Sequence, residues 1–313
     1  MLHIRVVSPP GATGRLVDYL AADAGVINLV VIPAAATLPG GDAVQFDVMS
    51  GSANPILRQL RRFGLDRESS IIIETVDAAI IDPAWSSIRR RSYHGEHAPV
   101  WDLVEARIHD DATYAPSFFA LLIFAGLIGA CGILTNSQIL IVGAMVVGPE
   151  YSAIIAVALG IERRDWHAVR IGLLVLLVGF LAAIAVTLVF ALCIRASGKA
   201  PEAYLHGIRP VSDLINSPNL FSVVVAVVAG IVGVVSLTLA KAGAMIGVFI
   251  SITTIPAAAD VAVSIAFGSW REAGGSAVQL LLNVGLLIVV GALALRVQRV
   301  IWRSWMRSEG SVS

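Results

Sequence analysis

The residues with the clearest chemical potential lie in the middle of an apolar stretch. Residues 136–161 are predominantly apolar and long enough to cross a bilayer, which takes about 20 such residues. Near the middle of this stretch stand Gly148, Pro149, Glu150 and Tyr151. Proline removes a helical hydrogen bond, and a carboxylate at bilayer depth is costly unless it has a partner, a wet cavity or a proton. We therefore predict a broken membrane helix whose break faces a protein interior or a water-filled cavity.

Glu150 has two interpretations that the sequence leaves open. A protonatable carboxyl group would suit proton coupling or cation binding, whereas a structural carboxyl group would bind a neighbouring span or a partner subunit. For Asp260, farther along the chain, the structural interpretation is favoured. The full candidate transport or binding site comprises Gly148, Pro149, Glu150, Tyr151, Thr253, Thr254, Pro256, Asp260 and Asn283.

Composition separates the chain into a soluble part and a membrane part. Hydrophobic residues make up 57% and charged residues only 14% of the 313 residues, which is far more apolar than a soluble domain. The long apolar runs begin at Pro116, and the residues before it have an ordinary soluble composition. The net charge is zero, so nothing indicates a nucleic-acid partner. The usual catalytic, metal-ligand and cofactor-binding motifs are missing from the sequence, so we expect no enzyme, no metal and no cofactor.

The soluble part predicts a ferredoxin-like α+β domain over residues 1–98. Alternation and β-branched residues predict the strands Leu2–Val7, Val26–Ile32, Ala43–Met49 and Ser70–Thr75. Val26–Ile32 is an apolar run interrupted only by Asn28, which is typical of a buried strand. One helix is predicted after Thr13 and another from Asn54-Pro55, so that the order is βαββαβ. A linker helix within residues 99–114 is expected to lie at the membrane interface.

Six membrane spans are predicted over residues 115–299, followed by a cytoplasmic tail, residues 300–313. The spans are Ser117–Leu134, Gln138–Leu159, Val169–Ile194, Leu220–Leu239, Ala242–Phe267 and Ala277–Leu295. The N-terminus has no signal-peptide pattern, so the first domain is expected to stay in the cytoplasm. With that orientation most basic residues of the connecting segments fall on the inner side, as the positive-inside rule requires. Both termini are therefore expected in the cytoplasm.

The membrane part contains short sequence words that recur in the same order. Gly143-Ala144-Met145 returns as Gly243-Ala244-Met245, Pro149 as Pro256, Trp166 as Trp270, and Gly172-Leu173-Leu174 as Gly285-Leu286-Leu287. This pattern predicts a three-span unit, residues 115–194, that is repeated as 219–297. A second unit with an odd number of spans must insert in the opposite orientation, and inverted repeats with broken helices are the architecture of many secondary transporters. The two breaks are then expected to meet near the midplane.

Several motifs within residues 101–297 point to one known family. They are Trp101-Asp102-Leu103-Val104, and Asn136-Ser137-Gln138 leading into Ile141-Val142-Gly143-Ala144-Met145, with a proline four residues later. On these residues the membrane half resembles the domain-of-unknown-function 389 family of hydrophobic bacterial membrane proteins. The resemblance implies a bacterial inner-membrane protein and no particular activity. Glu150 stands where that family is more often apolar, so a mechanism based on Glu150 would be particular to a subgroup.

Two functions from different classes remain open on the sequence. The first is a transporter or channel for a small solute or ion, with the cytoplasmic domain as a regulatory or assembly module. The second is a non-transporting membrane scaffold or sensor, whose cytoplasmic domain binds a ligand or partner protein. Small residues that permit close helix contact favour a homo-oligomer within the lipid bilayer. They are Gly126, Gly129, Ala130, Gly230 and Gly233.

Overall fold

The chain divides into two compact units, Met1–Ala106 and Arg107–Ser313. The computed structural model describes residues 1–48, 50–65, 70–76, 100–111, 114–217, 219–238, 247–248 and 253–309. The end of the predicted soluble domain, residues 77–98, lies outside the described residues.

The first unit is built on a four-stranded antiparallel sheet. Its elements are β1 (Leu2–Ser8), α1 (Pro10–Ala22), β2 (Val26–Thr37), β3 (Gly40–Val48), α2 (Ser50–Arg62) and β4 (Ile71–Thr75). The strand order is β2-β3-β1-β4, and each neighbouring pair is antiparallel. The core lies between this sheet and the two helices, whose buried residues recur at helical spacing, as in Leu16 with Leu20 and Ile56 with Leu60. The predicted βαββαβ order is therefore present.

Two local predictions for this unit were wrong. The apolar run from Val26 was expected to be buried, but Val30 is 46% and Ile32 43% exposed. Among the described strands β2 is at the edge of the sheet and pairs only with β3, so much of its length has no cover from the described residues. The second helix begins at Ser50 and not at Asn54, and it contains Pro55 in its interior. The Asn54 side chain accepts a hydrogen bond from the backbone N–H of Trp101 at 3.2 Å.

The second unit is helical. Its elements, with the helix that leads into it, are α3 (Trp101–Asp111), α4 (Pro116–Leu134), α5 (Gln138–Val147), α6 (Glu150–Arg163), α7 (Trp166–Ala196), α8 (Glu202–Leu205), α9 (Pro210–Ile215), α10 (Leu220–Thr238), α11 (Thr254–Ala266) and α12 (Trp270–Glu309). Of these, α4, α7, α10 and α12 are long and apolar enough to cross a membrane, and the bent pair α5–α6 would make a fifth span. Most of the predicted fifth span before Thr253 lies outside the described residues, so six spans stay a prediction.

The long helices present large apolar side chains on their outer surfaces. On α7, Leu174 and Leu177 are each 61% exposed and Leu181 is 57% exposed. These residues recur at helical spacing and form a continuous apolar stripe, which a soluble monomer rarely exposes. The unit is therefore compatible with a helical membrane protein.

The two short helices α6 and α11 occupy the interior of this unit. α6 packs against α7 and α12, whereas α11 packs against α4, α7 and α12. In the connecting segment that contains α8 and α9, α9 packs against α11 and α12. Arg209 holds this segment in place, because its guanidinium group donates to Ser269 Oγ at 2.6 Å and to Glu272 Oε2 at 2.7 Å.

Candidate functional site

The break predicted in the second span is present. α5 ends at Val147, Gly148 and Pro149 form the junction, and α6 starts at Glu150 with a bend of 50°. Pro149 has no backbone N–H to continue the hydrogen bonds of α5, so the chain turns and begins a new helix. The carboxyl group of Glu150 thereby stands in the first turn of α6, where the partial positive charge of a helix N-terminus favours it.

Glu150 contacts the start of the other interior helix. Glu150 is only 5% exposed, and its Oε1 accepts a hydrogen bond from Thr254 Oγ1 at 2.6 Å. Thr254 is the first residue of α11, so the N-terminal ends of two short helices meet at one buried carboxyl group. The second oxygen, Oε2, is buried and has no hydrogen-bond donor among the described residues. It is therefore the acceptor that this arrangement can offer to a proton or a bound cation.

Small residues allow this close approach. A Cβ atom at Gly148 would collide with the Glu150 carboxylate and with the side chain of Ile255. A Cβ atom at Gly233 of α10 would collide with the ring of Tyr151, which is buried beside it. Tyr151 is therefore packed against α10, one residue after the carboxyl group that meets α11.

A short polar network continues from α11 to α12. Asn283 Nδ2 donates to Thr253 Oγ1 at 2.7 Å, and Gln279 Nε2 donates to Asn283 Oδ1 at 3.1 Å. Gln279 and Asn283 are each only 3% exposed. Pro256 lies in the first turn of α11, where its missing N–H leaves no helical hydrogen bond unmade. The network thus ends on Thr253, the residue next to the partner of Glu150.

Asp260 belongs to a separate cluster. It lies six residues beyond Thr254, which is about 9 Å along a helix. Its two oxygens accept hydrogen bonds from Ser212 Oγ at 2.7 Å and from Ser276 Oγ at 2.6 Å, and the residue is fully buried. Because both oxygens have donors and no exposed surface, Asp260 has the arrangement of a structural carboxyl group that binds α9 and α12 to α11.

Sequence reasoning missed three residues of these clusters. Gln279 could have been found, because it lies four residues before Asn283 and so shares its helix face. Ser212 and Ser276 carry no comparable signal, since a serine in an apolar helix is common and its partner depends on the packing of helices distant in sequence.

The candidate residues all fall within the part of the chain that resembles a known family. Residues 145–289 match DUF389, a domain of unknown function. This match confirms the resemblance drawn from the motifs, and it extends from the end of α5 into α12. No curated protein and no solved structure matches the chain. The DUF389 region thus contains both short interior helices and the polar network between α11 and α12.

The DUF389 region offers hydrogen-bonding chemistry rather than a preformed metal site. In the part of the chain that the structure describes, no three His, Cys, Asp or Glu side chains are grouped closely enough to hold a metal ion. The central group is one buried carboxyl group that faces two helix N-termini, with a hydroxyl donor on one oxygen. This arrangement can exchange a proton or bind a cation weakly without a second acidic residue.

Proposed function

We propose that the protein is a transporter or channel for a small solute or ion in the bacterial inner membrane. The path runs past Glu150 and Thr254. The ferredoxin-like domain and both termini lie in the cytoplasm, and this domain is a regulatory or assembly module. One observation carries the proposal. Two short interior helices, one of which follows a break, begin at the same buried point, and the carboxyl group between them has a donor on only one oxygen among the described residues. Interrupted helices whose N-termini meet inside a bundle are a common way to build a transport site.

The proposal includes six spans in two inverted three-span repeats, and one constant separation supports it. Glu150 and Thr254, which start the two interior helices, are 104 residues apart. The same separation relates the first residues of α4 and α10 and those of α7 and α12. These pairs are Pro116 with Leu220 and Trp166 with Trp270.

Contacts of the interior helices near their N-termini follow the same correspondence. Gly129 of α4 packs against α11 at Ala259 and, at the edge of van der Waals contact, at Ile255, the second residue of α11. Its counterpart in the other half, Gly233 of α10, packs against Tyr151, the second residue of α6. Each half therefore supplies a glycine of its first span to the interior helix of the other half, as a twofold relation between the halves requires.

Contacts at the C-terminal ends of the interior helices are reciprocal as well. Arg299 of α12 forms an ion pair with Glu162 of α6 at 3.3 Å. Arg195 of α7, in the corresponding position, donates to the backbone oxygen of Ala266, which corresponds to Glu162. Among the repeated words in the sequence, only the tryptophan pair has the separation of these contacts. The two Gly-Ala-Met segments are separated by a different number of residues. The constant separation of the helix starts therefore supports the repeat better than the recurring short segments do.

Flux measurements on reconstituted protein test the proposal. Liposomes containing the protein are assayed for proton, sodium, potassium, urea and glycerol flux, with Glu150→Gln and Glu150→Ala as test variants. Asp213→Asn, which removes an exposed carboxylate from α9, is the matched control. We expect a flux above that of empty liposomes that falls about tenfold or more in the test variants, because a hydrogen bond to a charged group contributes about 1.5–3 kcal/mol. Absence of any flux, or a flux indifferent to both changes at Glu150, would contradict the proposal.

A second candidate function, an oligomeric scaffold or sensor without transport, is favoured by the edge strand of the first unit. Val30, Val31 and Ile32 of β2 are exposed in succession, and an exposed apolar edge strand is suited to pairing with another chain. Chemical cross-linking of the protein in membranes distinguishes the two. Cross-links that disappear in Val31→Lys, in a protein without measurable flux, would favour the scaffold.

A further inference from the structure

A cavity of about 240 Å³ lies between α10 and α12, next to the start of α11. Its polar lining consists of Asn219, Ser222, Thr253, Gln279 and Asn283. The other described lining residues are apolar, and none of those described is charged. Because a water molecule takes about 30 Å³ in the liquid, the cavity has room for about eight waters or for a solute of a few heavy atoms.

The corresponding place in the first half of the membrane unit is filled. Under the correspondence proposed above, Ser222 and Ala226 take the positions of Phe118 and Leu122, which are 5% and 0% exposed. Phe118 and Leu122 pack directly against Gly179 of α7, whose counterpart on α12 is Asn283. Val175 likewise corresponds to Gln279. The second half thus has small and polar residues where the first half has a dry apolar contact, and the cavity is the consequence.

The hydrogen bonds among the polar side chains of the cavity follow one donor-to-acceptor order. Gln279 donates to Asn283, and Asn283 donates to Thr253. The hydrogen bonds therefore run along α12 from Gln279 to Asn283 and from there to Thr253, and Gln279 Oε1 takes no part in them. This oxygen is buried and has no hydrogen-bond donor within the described part of the chain. Gln279 is one of the lining residues, so the cavity lies beside a carbonyl oxygen that lacks a donor among the described residues.

We propose that this cavity binds a small uncharged solute that carries at least one N–H or O–H donor, such as a polyol or an amide. The donor of the solute binds Gln279 Oε1, and the hydroxyl group of Ser222 binds a second polar atom. A charged solute is disfavoured because none of the described lining residues could compensate its charge once water is removed. The inference rests on the proposed function, since it makes the cavity the place where the solute enters the path that leads past Thr253 and Thr254.

Cysteine accessibility tests the inference without measuring transport. The native Cys131 and Cys193 are changed to alanine, and Ser222→Cys is introduced into the purified protein in liposomes. The rate of modification by a water-soluble methanethiosulfonate is measured with and without glycerol or urea. At a solute concentration ten times its Kd, the rate is expected to fall about tenfold, because mass action leaves about one site in eleven empty. Ser197→Cys, at an exposed position after α7, is the matched control whose rate should not change.

Gln279→Met separates a specific site from an unspecific solvent effect. It keeps the volume of the side chain and removes the carbonyl oxygen, so the solute concentration needed for protection should rise about tenfold. Size-exclusion chromatography checks that the variant keeps its assembly, and Gln279→Leu is the second variant if it does not.

Three outcomes would overturn the inference. They are no modification at Ser222→Cys, equal slowing at Ser197→Cys, and protection by ammonium or sodium chloride in place of the uncharged solutes. Failure of the two proposals is distinguishable. If the solute slows cysteine modification but no flux is measured, the binding site is supported and transport is contradicted. If flux depends on Glu150 but no solute slows the modification, only this binding site is contradicted.

Discussion

The contact between Glu150 and Thr254 is the interaction on which the arrangement of the two interior helices depends, and a double-mutant cycle measures it. Thr254→Val removes the hydroxyl donor with little change in volume. It leaves Glu150 buried with no donor for either side-chain oxygen among the described residues. Glu150→Gln keeps the shape of the side chain and removes its charge, and the double variant completes the cycle.

The magnitude follows from the chemistry of the pair. A hydrogen bond to a charged group stabilises the folded state by about 1.5–3 kcal/mol, and one between neutral groups by about 0.5–1.5 kcal/mol. Thr254→Val should therefore cost about 1.5–3 kcal/mol in the native background but only about 0.5–1.5 kcal/mol in the Glu150→Gln background. The middle of the two ranges gives a coupling free energy of about 1 kcal/mol, which exceeds the additivity error of about 0.5 kcal/mol.

The assay is equilibrium unfolding by dodecyl sulfate in mixed micelles, followed by circular dichroism of the helices. Thr254→Ser keeps the hydroxyl group and is the control, with an expected change within about 0.5 kcal/mol. The reasoning is refuted if Thr254→Val costs no more than Thr254→Ser. It is equally refuted if the two single changes add without coupling, because the hydrogen bond would then not depend on the charge of Glu150.

Two further predictions test the tight junction and the first unit. Gly148→Ala should destabilise the membrane unit by about 1–3 kcal/mol in the same unfolding assay, because the added Cβ collides with the Glu150 carboxylate. Gly143→Ala is the control. Its Cβ meets no atom within 4 Å, so its free energy of unfolding should hardly change. The backbone N–H of Ala34, followed by the Thr13 hydroxyl, holds the pKa of Asp42 below its usual range. The carboxylate interaction is therefore present above the usual pKa of an aspartate and is lost as the pH falls through the lowered value. The backbone amide of Ala34 should accordingly exchange its hydrogen faster in Asp42→Asn at neutral pH. In this variant the protection of the amide should no longer decrease as the pH falls. An exchange rate equal to that of the native protein would contradict this.

The elements that depend on local chemistry were predictable from the sequence. The strands and helices of the first unit follow their alternation and helical spacing, so their order is correct even where Ser50 begins a helix earlier than expected. The bend at Gly148-Pro149 was predictable as well, since a missing N–H breaks a helix wherever it stands. The exposure of β2 was not predictable, because the same apolar run serves for a central or an edge strand, and only the order of the sheet decides which one forms.

The sequence by itself determined that this chain has a soluble sheet domain followed by long apolar helices, one of them broken beside a carboxyl group. Only the tertiary structure decided that Thr254 is the partner of Glu150 and that Asp260 binds Ser212 and Ser276. The physical reason is that a helix apolar on all sides has no polar face to indicate which residues point inward. The partner of a buried polar group then depends on how helices distant in sequence pack together, and no local pattern records that packing.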